Sequence, residues 1–220
     1  MKQEVETQQQ AGADAESSAL AQLRALVPRH PLLYSHALQI AERQANLLLR
    51  LAHAKEPPVP SEIISSLPRI DVILDPDSPV AGSAHWDGHD WLLIINARKH
   101  QPTRRFSLAH EFKHVIDHST RGFLYTGMPQ MTAAEQGERA ADYFASCLLM
   151  PTAWLQRAST SGCRTTAEFA RRFNVPHRVA ATRLTQLGLA PEQTRQLPLP
   201  LDTINQQASL DHDAPIGAEA

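Results

Sequence analysis

Ser107-Leu-Ala-His-Glu-Phe-Lys-His-Val-Ile-Asp-His118 sets three histidines and two acids in one short stretch. Either it is a metal site carrying its own base, or it is a histidine-rich surface helix, and the two build different domains. The inner run His110-Glu111-Phe112-Lys113-His114 fits the pattern H-E-x-x-H. On a helix, residues i and i+4 differ by about 40° in azimuth and one turn in rise, so imidazoles at His110 and His114 converge on one metal ion. Glu111, about 100° round, misses that point but reaches a water on the metal. Zinc accepts imidazole and carboxylate donors and brings the pKa of its water toward about 7, where a carboxylate can act as general base. A chain of this size and composition holds roughly 0.03 such matches by chance. Phe106, Ala109 and Val115 supply the apolar face that a core helix needs.

A hydrolytic zinc site needs a third protein ligand and an open position. His118 is nearest in sequence, but it lies about 12 Å beyond His110 along the helix axis and cannot share that metal. Downstream, Glu138 and Asp142 stand one turn apart, and Glu138 continues the apolar stripe Ala141, Ala145, Leu148 and Leu149. Glu138 suits a ligand. Asp142 suits a partner that accepts a ligand histidine's other N–H and so fixes its tautomer. Glu135 is the rival carboxylate, although its place in the first turn suits a cap.

The 220 residues suffice for one domain with tails or two small ones, and 42% hydrophobic residues can fill a core. A net charge of −2 provides no long-range attraction for nucleic acid or anionic membrane. No run approaches the roughly 20 apolar residues of a spanning helix. The start, MKQEVETQQQAGADAESS, has no apolar core of a secretory signal, and Cys147 and Cys163 make no disulfide framework. A soluble protein of a reducing cytoplasm is expected.

Residues 1–30 read as a disordered or weakly ordered tail, and 193–220 as a second. Helical spacing marks 31–54, and a short helix follows Ser61. Arg69–Leu74 reads as a strand. Gly82–Trp86 and Trp91–Asn96, joined by Asp87-Gly88-His89-Asp90, read as a β-hairpin. A helix over 103–118, a loop over 119–131 and a helix from Thr132 to about Met150 come next, the last opened by a Thr132/Glu135 capping box and stopped by Pro151. A second box, Thr165/Glu168, starts a helix over 166–173, which a turn at 174–176 joins to a helix over 177–187. The class is α+β, with a small antiparallel sheet followed by helices. The divisions are 31–160 for the domain with the site and 161–192 for a helix-turn-helix-like unit.

RRFSLAHEFKHVIDH followed by ERAADYFASCLLMP resembles the ImmA/IrrE family of bacterial metallopeptidases. The matching positions are Arg105, Phe106, Ala109, His110, Glu111 and His114, then Glu138, Ala141, Phe144, Ala145, Leu148, Leu149, Met150 and Pro151. Lys113 stands where the family usually has Gly, Asp142 where it has Asn, and Ser107 where it has Thr. Lys113 is expected to point away from the metal with little consequence. The resemblance implies a zincin-like core and a zinc-dependent cytoplasmic endopeptidase, with manganese the other metal to consider. It also implies a protein substrate, an XRE-type helix-turn-helix repressor, whose cleavage releases a mobile element or a stress response.

Other roles remain open in the sequence. The strand 91–96 is either a sheet edge that pairs with substrate or an internal strand. The unit Ala167–Leu189 packs or docks substrate, or contacts DNA through Arg178 and Arg183 as a regulatory module without proteolysis. Tyr125, Tyr143, His118 and Arg105 are the candidates for stabilising an oxyanion. Cys147 is expected to be buried and inert, Trp86 and Trp91 to pack on the hairpin, and His85 and His89 to lie at the surface.

Overall fold

The computed structural model describes residues 18–190; the expected tail 193–220 and the first 17 residues of the tail 1–30 lie outside them. In chain order come α1 (Ala19–Ala25), α2 (Tyr34–Leu51), α3 (Glu62–Ser65), β1 (Ile70–Asp75), β2 (Gly82–Trp86) and β3 (Trp91–Asn96). They are followed by α4 (Gln101–Asp117), α5 (Arg121–Leu124), α6 (Ala133–Leu149), α7 (Thr152–Thr160), α8 (Thr166–Phe173) and α9 (His177–Gln186). The class is α+β, as expected.

The sheet is mixed rather than antiparallel. Its order is β1-β3-β2, with Trp86 opposite Trp91 in the antiparallel hairpin and Ile70 opposite Trp91 in a parallel pairing. A hairpin signal names only sequence neighbours; it does not say which strand takes the far side. β3 takes the centre because it is the most apolar strand, with Trp91, Leu93 and Ile95 buried against the helices. Both its sides are therefore hydrogen-bonded, so β3 is the internal strand and β2 carries the edge.

α4 lies against β2 and β3 on one side and α6 on the other, and α6 in turn packs on α2. Phe112 and Phe144 meet in this layer, ring centres 6.4 Å apart. Pro102 falls inside the first turn of α4, not in a preceding loop; there its missing N–H has no helical partner to lose. Pro151 both stops α6 and caps α7, a helix the sequence did not announce, accepting from Trp154 N and Leu155 N at 3.0 Å.

Part of the expected N-terminal tail is ordered. α1 buries Leu23 completely, and Arg24 donates to Val115 O at 2.7 Å and Ile116 O at 3.2 Å. Those are last-turn carbonyls of α4, which lack helical donors and favour a cation. Seven residues are too few to display a helical period, so only this docking reveals the helix.

α8 and α9 meet at Asn174, which takes the left-handed conformation (φ 52°). Arg105 donates to Asn174 O at 3.1 Å and to Val59 O at 2.7 Å, tying this pair to α4. Phe169, Phe173, Val179 and Leu184 share one continuous core cluster with α4 and α6. Arg183 is buried, with Glu42 at 3.6 Å, Thr152 Oγ1 at 3.1 Å and the Tyr143 ring beside it. Of the two arginines proposed for DNA, only Arg178 is exposed, so Arg183 cannot enter a groove in this fold.

Candidate metal centre

Three donors converge where α4 faces α6. His110 Nε2 and His114 Nε2 lie 3.1 Å apart, and the two oxygens of Glu138 lie 3.3 and 3.4 Å from them. A tetrahedral zinc with bonds of about 2.0–2.1 Å holds its donors about 3.3 Å apart. Each imidazole thus has one carboxylate oxygen at about that separation, and the donor chemistry, two imidazoles and a carboxylate within 4.8 Å of one another, suits such an ion.

Asp142, one turn past Glu138, accepts the Nδ1–H of His110 at 2.8 Å. That bond leaves Nε2 facing the donor triangle and raises its basicity. Burial disfavours a charged His110, but hydrogen bonds to Asp142 and Glu138 outweigh it, and the imidazole pKa is pushed up to about 10. The same contacts, first to His110 and then to His114, hold Glu138 far below the usual carboxylate range. An imidazole whose pKa is raised in this way must lose its proton to ligate, so metal affinity is expected to rise about tenfold per unit between about pH 6 and about pH 8. Competition against a chelator at several pH values measures this; a flat profile would mean that His110 is already neutral.

Glu111 stands beside the triangle rather than in it. Burial pushes its carboxyl pKa up, against the pull of His110 and His114. Gly82, at the start of β2, makes room for it. A Cβ at position 82 would sit 2.9 Å from Glu111 Cγ and 3.3 Å from Ile95 Cδ1. Gly82→Ala should therefore displace Glu111 and lower turnover about ten- to a hundredfold. Metal content should hold, because no candidate ligand moves; full activity in the alanine variant would show that the carboxylate has slack.

The cleft over these groups is lined by Val80 just ahead of β2, by Gly82, Ser83 and Ala84 of the β2 edge and by Arg121 on α5. Glu135 is not among them. It closes the capping box, accepting from Thr132 N at 2.6 Å while Thr132 Oγ1 accepts from Glu135 N at 3.2 Å. None of the four oxyanion candidates lines the cleft either. Tyr125 donates to Asp117, Tyr143 donates to Glu42 at 3.2 Å, His118 packs edge-on against Trp91, and Arg105 holds backbone carbonyls. Arg121 is the cation that does reach it. The sequence offered no signal for Arg121, which sits in a stretch read as loop.

Lys113 points away from the donors, as expected, but it is far from inconsequential. Its ammonium is fully buried, donating to Gln44 Oε1 at 2.8 Å and to Asp117. Asp117 also accepts from Tyr125, and Gln44 donates to Leu23 O at 3.0 Å. One buried network thus joins α1, α2, the metal helix and the segment bearing Arg121. Cys147 is buried, and burial pushes its thiol up to about 12, so it stays an inert thiol.

A helix bearing two histidines and an acid, crossed by a second helix with a carboxylate and flanked by a sheet edge, defines a zincin-like α+β domain. The model of the Peptidase M78 family, the IrrE N-terminal-like domain, matches residues 69–185, more than half of the chain. The chain belongs to that peptidase family. A solved Mycobacterium tuberculosis transcriptional regulator shares the fold, with a TM-score of 0.58 at 18% identity over 74% of this chain. The match spans only 50% of that protein's length. Among curated proteins none matches. No described helix is long and apolar enough to cross a membrane.

Proposed function

We propose that the protein is a cytoplasmic, zinc-dependent endopeptidase that cleaves an XRE-type helix-turn-helix repressor. The convergence of His110, His114 and Glu138, with the two imidazoles 3.3 and 3.4 Å from opposite oxygens of one carboxylate, is the observation that carries it. A zinc or manganese ion bound there would supply Lewis acidity for activating water and polarising the scissile carbonyl. His110, His114 and Glu138 hold it, and Asp142 keeps His110 in the ligating tautomer.

Glu111 takes the proton of the attacking water and passes it to the leaving amine. Its raised pKa suits a base that must also serve as an acid. The free edge of β2 pairs with the extended substrate backbone, laying the scissile bond across the cleft. Arg121 supplies the cation for the developing oxyanion, a role that Tyr125, Tyr143, His118 and Arg105 are too engaged to fill. Residues 31–160 carry the catalytic machinery. The helix pair α8–α9 of the unit 161–192 shares their core and holds the back of the site in place.

The test is direct. The purified protein is mixed with the helix-turn-helix regulator encoded beside it, with zinc, with manganese and with chelator, and fragments are read by mass spectrometry. One or a few defined cuts that vanish with chelator are expected. No fragment with either metal would remove the endopeptidase assignment.

A further inference from the structure

A second cavity, of about 300 Å³, shares a hydrogen bond with the metal centre. His110 lines the metal cleft, Asp142 lines this cavity, and the 2.8 Å bond between them joins the two. Its volume falls in the range of small-molecule sites, and its walls come from α2, α4, α6 and α9. Leu38, Phe106, Val179 and Leu187 make the lining mainly apolar, while Arg139 and Arg183 contribute guanidinium groups.

Arg183 carries the chemical clue. It is 1% exposed, and its ion pair with Glu42 is long, at 3.6 Å. Its buried Nε is the one such side-chain atom among the described residues with no hydrogen-bond partner. Buried donors in native folds are almost always met, so an unmet one marks a place where an acceptor is missing. A mostly apolar wall with two guanidinium groups suits an apolar body bearing one anionic acceptor. With the Asp142 carboxylate on the same wall, a singly charged carboxylate is favoured over a phosphate dianion.

We propose that this cavity is an effector site for a small apolar carboxylate, and that Asp142 couples its occupancy to the metal centre. A carboxylate brought against Arg139 and Arg183 changes the field and hydrogen bonding at Asp142, which orients His110 and sets its basicity. Coupling is reciprocal, so metal must change the ligand's affinity by the same factor that the ligand changes the metal's. The binding half stands apart from the peptidase assignment; only the coupling half rests on the metal centre.

The test uses 3-phenylpropionate and its neutral analogue 3-phenylpropan-1-ol on the full chain, metal-free and zinc-loaded. The acid is expected to bind with a Kd on the order of millimolar or tighter and to shift amide signals of α2 and α9. The alcohol should bind about fivefold more weakly or worse, having no charge to offer the guanidinium groups. Thr182→Phe, at a half-exposed lining position, and Leu38→Phe should each fill the space and abolish binding. Equal binding of acid and alcohol, no binding of the acid, or binding untouched in both variants would overturn the site. In cobalt-substituted protein, saturation with the acid should shift the visible absorption band. An unchanged band together with equal affinity in metal-free and zinc-loaded protein would overturn the coupling.

Discussion

Glu111→Gln is expected to reduce the proposed repressor cleavage by at least about a hundredfold, the lower range of what a positioned general base contributes. Zinc content, measured by elemental analysis, should remain near that of the wild type. The amide keeps the size of the side chain, so it still fits the space left by Gly82, where a Cβ would lie 2.9 Å from Glu111 Cγ. The ligands are untouched, because the metal is assigned to His110, His114 and Glu138 and not to Glu111. What disappears is the ability to take a proton from water and return it to the leaving amine. The two readouts separate the roles. Lost zinc together with lost cleavage would make Glu111 a ligand; unchanged cleavage would place the base elsewhere.

Asp117→Ala is expected to be the most damaging change away from the cleft, costing about 3–5 kcal/mol of folding stability. Lys113 has no exposed surface, and Asp117 supplies its carboxylate partner. Removing that partner leaves an ammonium inside the core and the Tyr125 hydroxyl without its acceptor. Burial already lowers the pKa of Lys113 while Asp117 raises it, so without Asp117 the lysine must give up its proton or draw in water. Urea unfolding of the metal-free protein measures the loss. Lys113→Met in the Asp117→Ala background should recover part of it by removing the stranded charge. A double variant no more stable than Asp117→Ala would show that packing, not charge, set the cost.

The site was legible in the sequence wherever local geometry decides. His110 and His114 lie on one face because four residues make about one helical turn, and Glu138 lies beneath Asp142 for the same reason. The capping boxes at Thr132 and Thr165 were legible because a cap and its partner are three residues apart. Other features depend on contacts between distant segments. Arg121 and Gly82 reach the cleft from a short helix and a strand end. Arg183 looked like a surface cation of a recognition helix until Glu42 and Thr152, far away in the chain, closed around it. The direction of β1 against β3 has no local signature at all.

The sequence by itself determined the candidate donors: two imidazoles and an acid at helical spacing, with a carboxylate pair on a later helix, because those relations lie within single helices. Only the tertiary structure decided what surrounds that chemistry. The packing of α4 against α6 brings the Glu138 carboxylate within 3.3 Å of His110 and 3.4 Å of His114. The strand order leaves β2 rather than β3 at the edge. The docking of α1 and the burial of Lys113 anchor the end of the metal helix. Hydrogen bonds and burial between segments dozens of residues apart set those features, and no periodicity along the chain encodes them.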